Sequence, residues 1–296
     1  MADQRYSRVW GSATVGIDAV SVCIETYLAN GLPKHTVVGL PRGAVRESLD
    51  RIWAAMRSAG YSVPRGILTV NLAPADVAKE GTAYDLPVAI GIIAADRQEI
   101  LPDSLDEWMI LGELTLNGGV RAVRGVLSSA LRARRDGLRR MIVPVQNAGE
   151  AASVDGLEVY GVSTLAQTFD VLNGGGTPFN AENGRAAELV SVDHLDMADV
   201  MGQSSAKRAM TIAAAGGHNL LLTGPPGCGK TMLARRFPGI LPLLSDEESL
   251  ETTAIHSLRG GARQTSGRTG LLRTRPFRAP HHSITRAGMT GGGTPT

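Results

Sequence analysis

The stretch Asn219-Leu-Leu-Leu-Thr-Gly-Pro-Pro-Gly-Cys-Gly-Lys-Thr231 constrains the fold of this chain more than any other. From Gly224 to Thr231 it matches G-x-x-x-x-G-K-[ST]. Leu220, Leu221 and Leu222 read as a strand leading in, and Met232, Leu233 and Ala234 as a helix leading out. Strand, glycine-rich loop and helix in that order predict an α/β unit that holds phosphate. The glycines let backbone N–H groups turn inward on phosphate oxygens, and the N-terminus of the next helix favours negative charge. Lys230 is spaced to reach the β- and γ-phosphates of a nucleotide such as ATP, and the Thr231 hydroxyl to ligate Mg²⁺. The candidate nucleotide contacts are therefore Gly224, Pro225, Pro226, Gly227, Cys228, Gly229, Lys230 and Thr231, and Thr231 is also the candidate metal ligand.

The loop lies late in a chain of 296 residues, a length that fits about two domains. Aromatic residues make up only 4% of the chain against 43% hydrophobic, so aliphatic side chains must build the core. Cys23 and Cys228 are the two cysteines, and a disulfide at Cys228 would obstruct the phosphate loop. A reduced, cytoplasmic setting is the simpler expectation. No apolar run reaches membrane-spanning length, and the N-terminus has no apolar signal core.

Charge is distributed unevenly. After Glu251 there is no acid, while Arg259, Arg263, Arg268, Arg273, Arg275, Arg278 and Arg286 follow, so residues 1–251 carry a net −5 within a chain of +2. One expectation is a polyanion partner, with Arg273, Arg275, Arg278 and Arg286 as candidate DNA contacts. The other is that these arginines meet acids of a neighbouring subunit or of further chain. Arg132, Arg134, Arg135, Arg139 and Arg140 form a second basic cluster, for which a solvated helix face is the default. His281 and His282 are adjacent and lack zinc-ligand spacing.

Periodicity organises the rest. Residues 1–172 read as one α/β domain: a strand-like stretch over Val9–Leu28 broken at Gly16, a strand at Thr36–Val38, and an amphipathic helix over Ala44–Ala59. A strand over Ile67–Leu72 and a helix over Asp85–Ala95, with Asp85 as N-cap, come next. Met109–Leu116 and Val120–Val123 flank Asn117-Gly118-Gly119, a hairpin signal. Helices over Val126–Arg135, near Ala148–Ser153 and over Leu165–Leu172, with strands at Met141–Val143 and Leu157–Tyr160, complete it. Residues 173–190 read as a Gly-rich linker. Residues 191–296 then hold Asp199–Gln203, a helix over Ala206–Ala215, the phosphate loop, and a helix near Asp246–His256 opened by a Ser245–Glu248 capping box.

Several of these stretches resemble one family. Ala213 to Pro242 around the loop, Thr253-Ala-Ile-His-Ser257 and Arg275-Pro-Phe-Arg-Ala-Pro-His-His282 look like the magnesium-chelatase-like AAA+ ATPases of the YifB/ComM group. Gly39-Leu-Pro41, Asn71 to Asp76, Asp85-Leu-Pro87 and Gly112-Glu-Leu114 resemble the same group. The resemblance implies a Lon-protease-like, S5-like α+β domain over 1–172 and the N-terminal part of an AAA+ α/β module over 191–296. It implies ATP with Mg²⁺, a homo-hexameric ring, and DNA branch migration during integration of transforming DNA. It also places Val200 and Gly202 beside the adenine. Two other readings stand: a Lon-like interaction scaffold without catalysis, and a subunit of magnesium-chelatase type.

The resemblance also marks departures. Active Lon-type domains pair a Ser nucleophile with a Lys; Gly81-Thr-Ala-Tyr-Asp85 puts Ala83 at the first position, and Arg124-Gly-Val-Leu127 puts Leu127 at the second. No peptidase activity is expected, with Thr82 and Lys79 the only nearby substitutes. The family's acidic motif follows the Arg275–His282 stretch, and here the chain closes at Thr296 before one, as well as before the sensor and helical-lid segments. The chain thus reads as C-terminally truncated, with nucleotide binding expected, hydrolysis near background, and apolar surface of the AAA+ part left exposed.

Overall fold

The computed structural model describes residues 5–45, 47–97, 105–179, 195–258 and 271–290. They form two compact units, one of residues 5–179 with 253–258, the other of residues 195–252 with 271–290. Among the described residues no helix is long and apolar enough to cross a membrane.

The first unit is built on a seven-stranded mixed sheet in the order β3-β4-β2-β1-β5-β8-β9. Strands β1 (Arg5–Val15) and β2 (Asp18–Ala29) form a long antiparallel hairpin, in register from Arg5 opposite Leu28 to Val15 opposite Asp18. The break expected at Gly16 is its turn, where φ is +62°, a conformation that a residue without Cβ adopts freely. Strand β4 (Ile67–Ala73) pairs antiparallel with β2 and parallel with β3 (Lys34–Val38). On the other side β5 (Trp108–Ile110), β8 (Arg140–Pro144) and β9 (Glu158–Val162) run parallel. Helices α1 (Ser48–Ser58), α2 (Asp85–Ala95), α3 (Val126–Arg135), α4 (Ala148–Ala151) and α5 (Leu165–Leu172) connect and cover it.

Burial explains the pattern. Alternation along β2 puts Val22, Ile24, Thr26 and Leu28 inside. Helix α2 is buried along nearly its whole circumference, as its unbroken apolar run requires. The core is aliphatic: Ile24, Ile52, Met56, Leu68, Leu72, Leu86, Ile90 and Ile93 are all at most 1% exposed. Burying each such side chain contributes roughly 1.5–3 kcal/mol before the entropy of ordering is charged against it.

Three expectations are corrected here. The single helix over Ala44–Ala59 is a 3₁₀ turn at Gly43–Val45 followed by α1, with the Ser48 hydroxyl donating to the Val45 carbonyl (2.7 Å) at the junction. The expected hairpin strand over Met109–Leu116 is divided. Strand β5 enters the large sheet, and only β6 (Glu113–Leu114) pairs with β7 (Val120–Arg121). The division falls at Gly112, where a Cβ would stand 2.9 Å from the Val120 side chain and 3.0 Å from that of Leu86. Asp85, expected as an N-cap, lies in the first turn of α2 without exposure, and the cap position is Tyr84. Its carboxylate accepts two bonds from the Arg51 guanidinium (2.5 and 2.8 Å) and one from the Leu114 N–H (3.1 Å). Burial pushes this carboxyl up, and Arg51 and Leu114 pull it back. One carboxylate thereby ties α1, α2 and β6 together.

The second unit has a smaller core of Met197, Val200, Met210 and Leu233. Its helices are α6 (Ser204–Gly216), α7 (Lys230–Arg236), α8 (Asp246–Leu258, whose last residues belong to the first unit) and α9 (Arg286–Thr290). The strand expected at Leu220–Leu222 is not formed, and Leu221 is 85% exposed. A strand exists through its neighbours' N–H and C=O groups, and among the described residues this unit has no strand to supply them. The Ser245–Glu248 capping box is present, Ser245 N–H donating to the Glu248 carboxylate (3.0 Å) and Glu248 N–H to the Ser245 hydroxyl (3.2 Å).

Arg51→Ala leaves the buried Asp85 carboxylate without its cation, and urea unfolding should show the first unit destabilised by about 3 kcal/mol. A change under about 0.5 kcal/mol, the usual scale of a surface substitution, would show that the pair does not hold the helices.

Candidate nucleotide-binding site

The loop from Gly224 to Gly229 turns through three positive-φ glycines, Gly224 (+155°), Gly227 (+80°) and Gly229 (+89°). A Cβ on Gly224 would also stand 2.9 Å from the Cys228 sulfur. Gly229 is the cap of α7, and the first bond of that helix runs from Leu233 N–H to the Gly229 carbonyl (3.0 Å). The N–H groups of Lys230, Thr231 and Met232 precede it and have no intrahelical acceptor, which leaves donors at the mouth of the loop. Leu233, 3% exposed, anchors the helix in the small core, whereas Thr231 stays exposed.

Lys230 folds over this turn. Its ammonium donates to the carbonyls of Gly224 (2.8 Å) and Pro225 (2.7 Å) and lies 3.5 Å from the Cys228 sulfur. Carbonyl oxygens here occupy the acceptor role that phosphate oxygens take in a nucleotide complex. The residues therefore fit a bound nucleoside triphosphate: a turn closed to side chains, free helix-end donors and one cation above them.

The segment Asp199–Gln203 lies against the loop. Val200 is 2% exposed in the same small core as Leu233, and its carbonyl accepts from the Lys207 ammonium. Gly202 (φ +68°) and Gln203 (φ +54°) turn the chain into α6, and the Gln203 amide donates to the Cys228 carbonyl (3.4 Å). Val200 and Gly202 thus sit on a segment bonded to the phosphate loop. Gln203 and Lys207 make those bonds and lie outside the loop motif; the signal for them is the turn at Gly202.

The basic tail is partly paired within the unit. Arg275 places one guanidinium nitrogen 2.9 Å from each Glu248 oxygen and donates to the Pro242 carbonyl (3.3 Å), and Arg273 pairs with Asp246. The Ser245 N–H, and after it the Arg275 guanidinium, hold the Glu248 carboxyl below the usual range. Asp246 and Glu248 are therefore occupied at the start of α8, and Arg273 and Arg275 reach any other anion only in exchange for them. Arg278 and Arg286 lie on exposed surface, and Arg286 has contacts of its own. Arg259, Arg263 and Arg268 fall outside the described residues. His281 and His282 contact each other with tilted rings (centroids 4.0 Å apart, 39° between planes), and among the described residues no three His, Cys, Asp or Glu group as a metal would require.

In the first unit, Ala83 and Leu127 are the residues expected in place of a Ser–Lys pair; Ala83 lies just before α2, and Leu127, in the first turn of α3, has no exposure. Thr82 donates its hydroxyl to Glu113, and the Lys79 ammonium donates to the Pro74 carbonyl. The two available substitutes are thus bonded to other groups. Glu150 fixes the Leu127 segment by accepting its N–H (2.9 Å) at the start of α3.

Two family models match: subunit ChlI of Mg-chelatase over residues 24–147, and magnesium chelatase, subunit ChlI, over residues 196–296. An uncharacterized protein of Mycobacterium tuberculosis is 45% identical over 97% of this chain and 56% of its own length. Competence protein ComM of Haemophilus influenzae is 43% identical over 97% of this chain and 56% of its own length. The uncharacterized protein YifB of Escherichia coli is 43% identical over 95% of this chain and 54% of its own length. The chain spans about half the length of these curated relatives. The Lon protease of Rhizobium meliloti is 25% identical over 56% of the chain.

Gly224→Val should cut affinity for ATP at least tenfold, about 1.4 kcal/mol, with the helical circular-dichroism signal unchanged. Unchanged affinity would mean that the turn at Gly224 does not shape the phosphate site.

Proposed function

The chain belongs to the magnesium-chelatase-like family that includes ComM and YifB, and on that premise we propose that it is the ATP-binding part of a ring-forming, DNA-remodelling ATPase of the ComM type. The observation that carries this reading is a complete phosphate loop, Gly224 to Thr231, in a chain whose similarity to competence protein ComM runs through nearly all of it. Loop and helix-end N–H groups take the phosphates, and Lys230 moves from the Gly224 and Pro225 carbonyls onto the β- and γ-phosphates. The Thr231 hydroxyl holds Mg²⁺, which neutralises phosphate charge when bound. Val200 and Gly202 flank the base. Two free cysteines, Cys23 and Cys228, agree with a reduced, cytoplasmic setting.

Binding, rather than turnover, is what the residues present are assigned. Hydrolysis needs a carboxylate placed to hold Mg²⁺ or orient water; of the three acids at the start of α8, Asp246 and Glu248 are paired with Arg273 and Arg275, and Glu247 stands with them at a helix start rather than at a strand end. The DNA is single-stranded or branched, and the exposed Arg278 and Arg286 face it through backbone phosphates, with no base readout. The first unit contributes no peptidase chemistry: Ala83 has no nucleophile and Leu127 no amine. A second reading rests on that unit alone. Its own buried core, with both dyad positions apolar, suits a Lon-like scaffold for interaction with another protein.

Three measurements test this. Lys230→Ala should weaken binding of a fluorescent ATP analogue at least tenfold, and Thr231→Ala should remove the part of the affinity that depends on Mg²⁺. Full affinity in both variants would remove the nucleotide reading. Anisotropy of labelled single-stranded and branched DNA should give binding that falls steeply with salt, with a slope shallower by about 1 for each of Arg278→Ala and Arg286→Ala. Salt-insensitive or absent binding would leave the scaffold reading. A serine-reactive probe should not label the chain, and labelling lost in Thr82→Ala would restore a peptidase.

A further inference from the structure

We propose that the second unit takes one unstacked base of a single-stranded DNA into an apolar pocket beside Arg275. Three segments make the pocket. Residues 195–197 form one wall, the 3₁₀ turn Phe237–Ile240 and the residues after it a second, and Thr274 with Arg275 a third. Between them lies a cavity of about 340 Å³. That is the small end of the range for ligand pockets, suited to one compact planar group. None of Gly224–Thr231, Val200 or Gly202 lines it, so it is not the place assigned above to ATP.

The walls suit stacking better than hydrogen bonding. Met197, Pro238, Leu241 and Pro242 supply apolar surface, and the two prolines bring no backbone N–H. Asp196 is engaged on its own wall: its carboxylate accepts from the Ala198 N–H (2.9 Å) and its carbonyl from Arg236 (2.9 Å). Arg275 is the one cation among the lining residues. Its guanidinium edge is committed, one nitrogen standing 2.9 Å from each Glu248 oxygen and Nε 3.3 Å from the Pro242 carbonyl. What a fixed guanidinium with a committed edge still offers is its face, and such planes stack on unpaired bases. At the rim Leu243 is 70% exposed and Leu195 43%. A base seated between them and Arg275 takes that apolar surface out of water.

Charge selects the occupant. From Leu271 to Thr290 the chain holds Arg273, Arg275, Arg278 and Arg286 and no acid, and Arg278, three residues beyond the pocket wall, is exposed. An apolar slot bordered by cations complements a base carried on a phosphate backbone. An apolar protein segment would leave the cations unused. Stacking and apolar contact accept any base, so the pocket adds affinity without reading sequence. This assignment rests on the DNA reading above and adds a base contact to its phosphate contacts.

Anisotropy of the full chain with two labelled strands of equal length tests it. One is an oligothymidylate; the other is abasic throughout, with the same phosphates and no bases. The oligothymidylate should bind at least tenfold more tightly, the scale of one stacked base. Gly239→Phe puts a ring into the pocket, and a Cβ there stands 3.7 Å from the Leu195 carbonyl oxygen, an ordinary contact. This variant should bind the two strands alike while keeping its affinity for ATP. Leu243→Glu, on the exposed rim, should also bring the two affinities together, and it decides if Gly239→Phe loses ATP through misfolding. Equal affinities in the unaltered chain would overturn the base pocket and leave the phosphate contacts standing, as would be seen if the pocket served a partner protein instead. A preference for the oligothymidylate that neither variant lowers also overturns it. Failure of both strands to bind overturns the pocket and the DNA reading together.

Discussion

The positive-φ turn of the phosphate loop is the constraint on which the nucleotide unit depends. Gly224, Gly227 and Gly229 adopt backbone conformations that cost other residues strain, and a Cβ at Gly224 would stand 2.9 Å from the Cys228 sulfur. The turn brings two carbonyls under the Lys230 ammonium and leaves the first N–H groups of α7 without acceptors. Leu233, Val200, Met197 and Met210 hold that helix and the Asp199–Gln203 segment in one small core. Loop, cation and the Asp199–Gln203 segment are thereby positioned by four buried side chains and one Gln203–Cys228 bond. That core is small, and the exposed Leu221 and Met201 beside it show how much apolar surface the unit leaves in water.

The first unit is organised by a different interaction. The buried Asp85 carboxylate, paired with Arg51 and capped by Leu114 N–H, fixes α2 against α1 and β6. In doing so it fixes Thr82–Tyr84 and Glu113, which wall the cleft beside β1. A buried charge pair is poor at adding net stability, because desolvation offsets attraction, but it is unforgiving of misalignment. That suits a role in setting the geometry of a cleft. Ala83 lines that cavity, whereas Leu127 is buried in the first turn of α3.

Much of this was legible in the sequence where local chemistry decides the outcome. The phosphate loop, the capping box at Ser245–Glu248 and the helices Asp85–Ala95, Val126–Arg135 and Leu165–Leu172 follow from turn residues and periodicity within a few positions. What escaped depends on partners distant in the chain. Asp85 reads as a helix cap until Arg51 is seen beside it, 34 positions away. Leu220–Leu222 reads as a strand because it is apolar, yet apolar residues make a strand only where another backbone pairs with it. The division of Met109–Leu116 turns on a tight contact at Gly112, which periodicity cannot register. Arg273 and Arg275 read as contacts for a polyanion or for acids beyond this chain, whereas their partners are Asp246 and Glu248 of the same unit.

If Gly224–Thr231 holds phosphate, phosphate must dominate the affinity. Calorimetric titration of the full chain with ATP and Mg²⁺, beside the same titration with adenosine, tests this most directly. ATP should bind at least a hundredfold more tightly than adenosine, about 2.7 kcal/mol in binding free energy. Equal affinities, or no heat with ATP, would contradict the account.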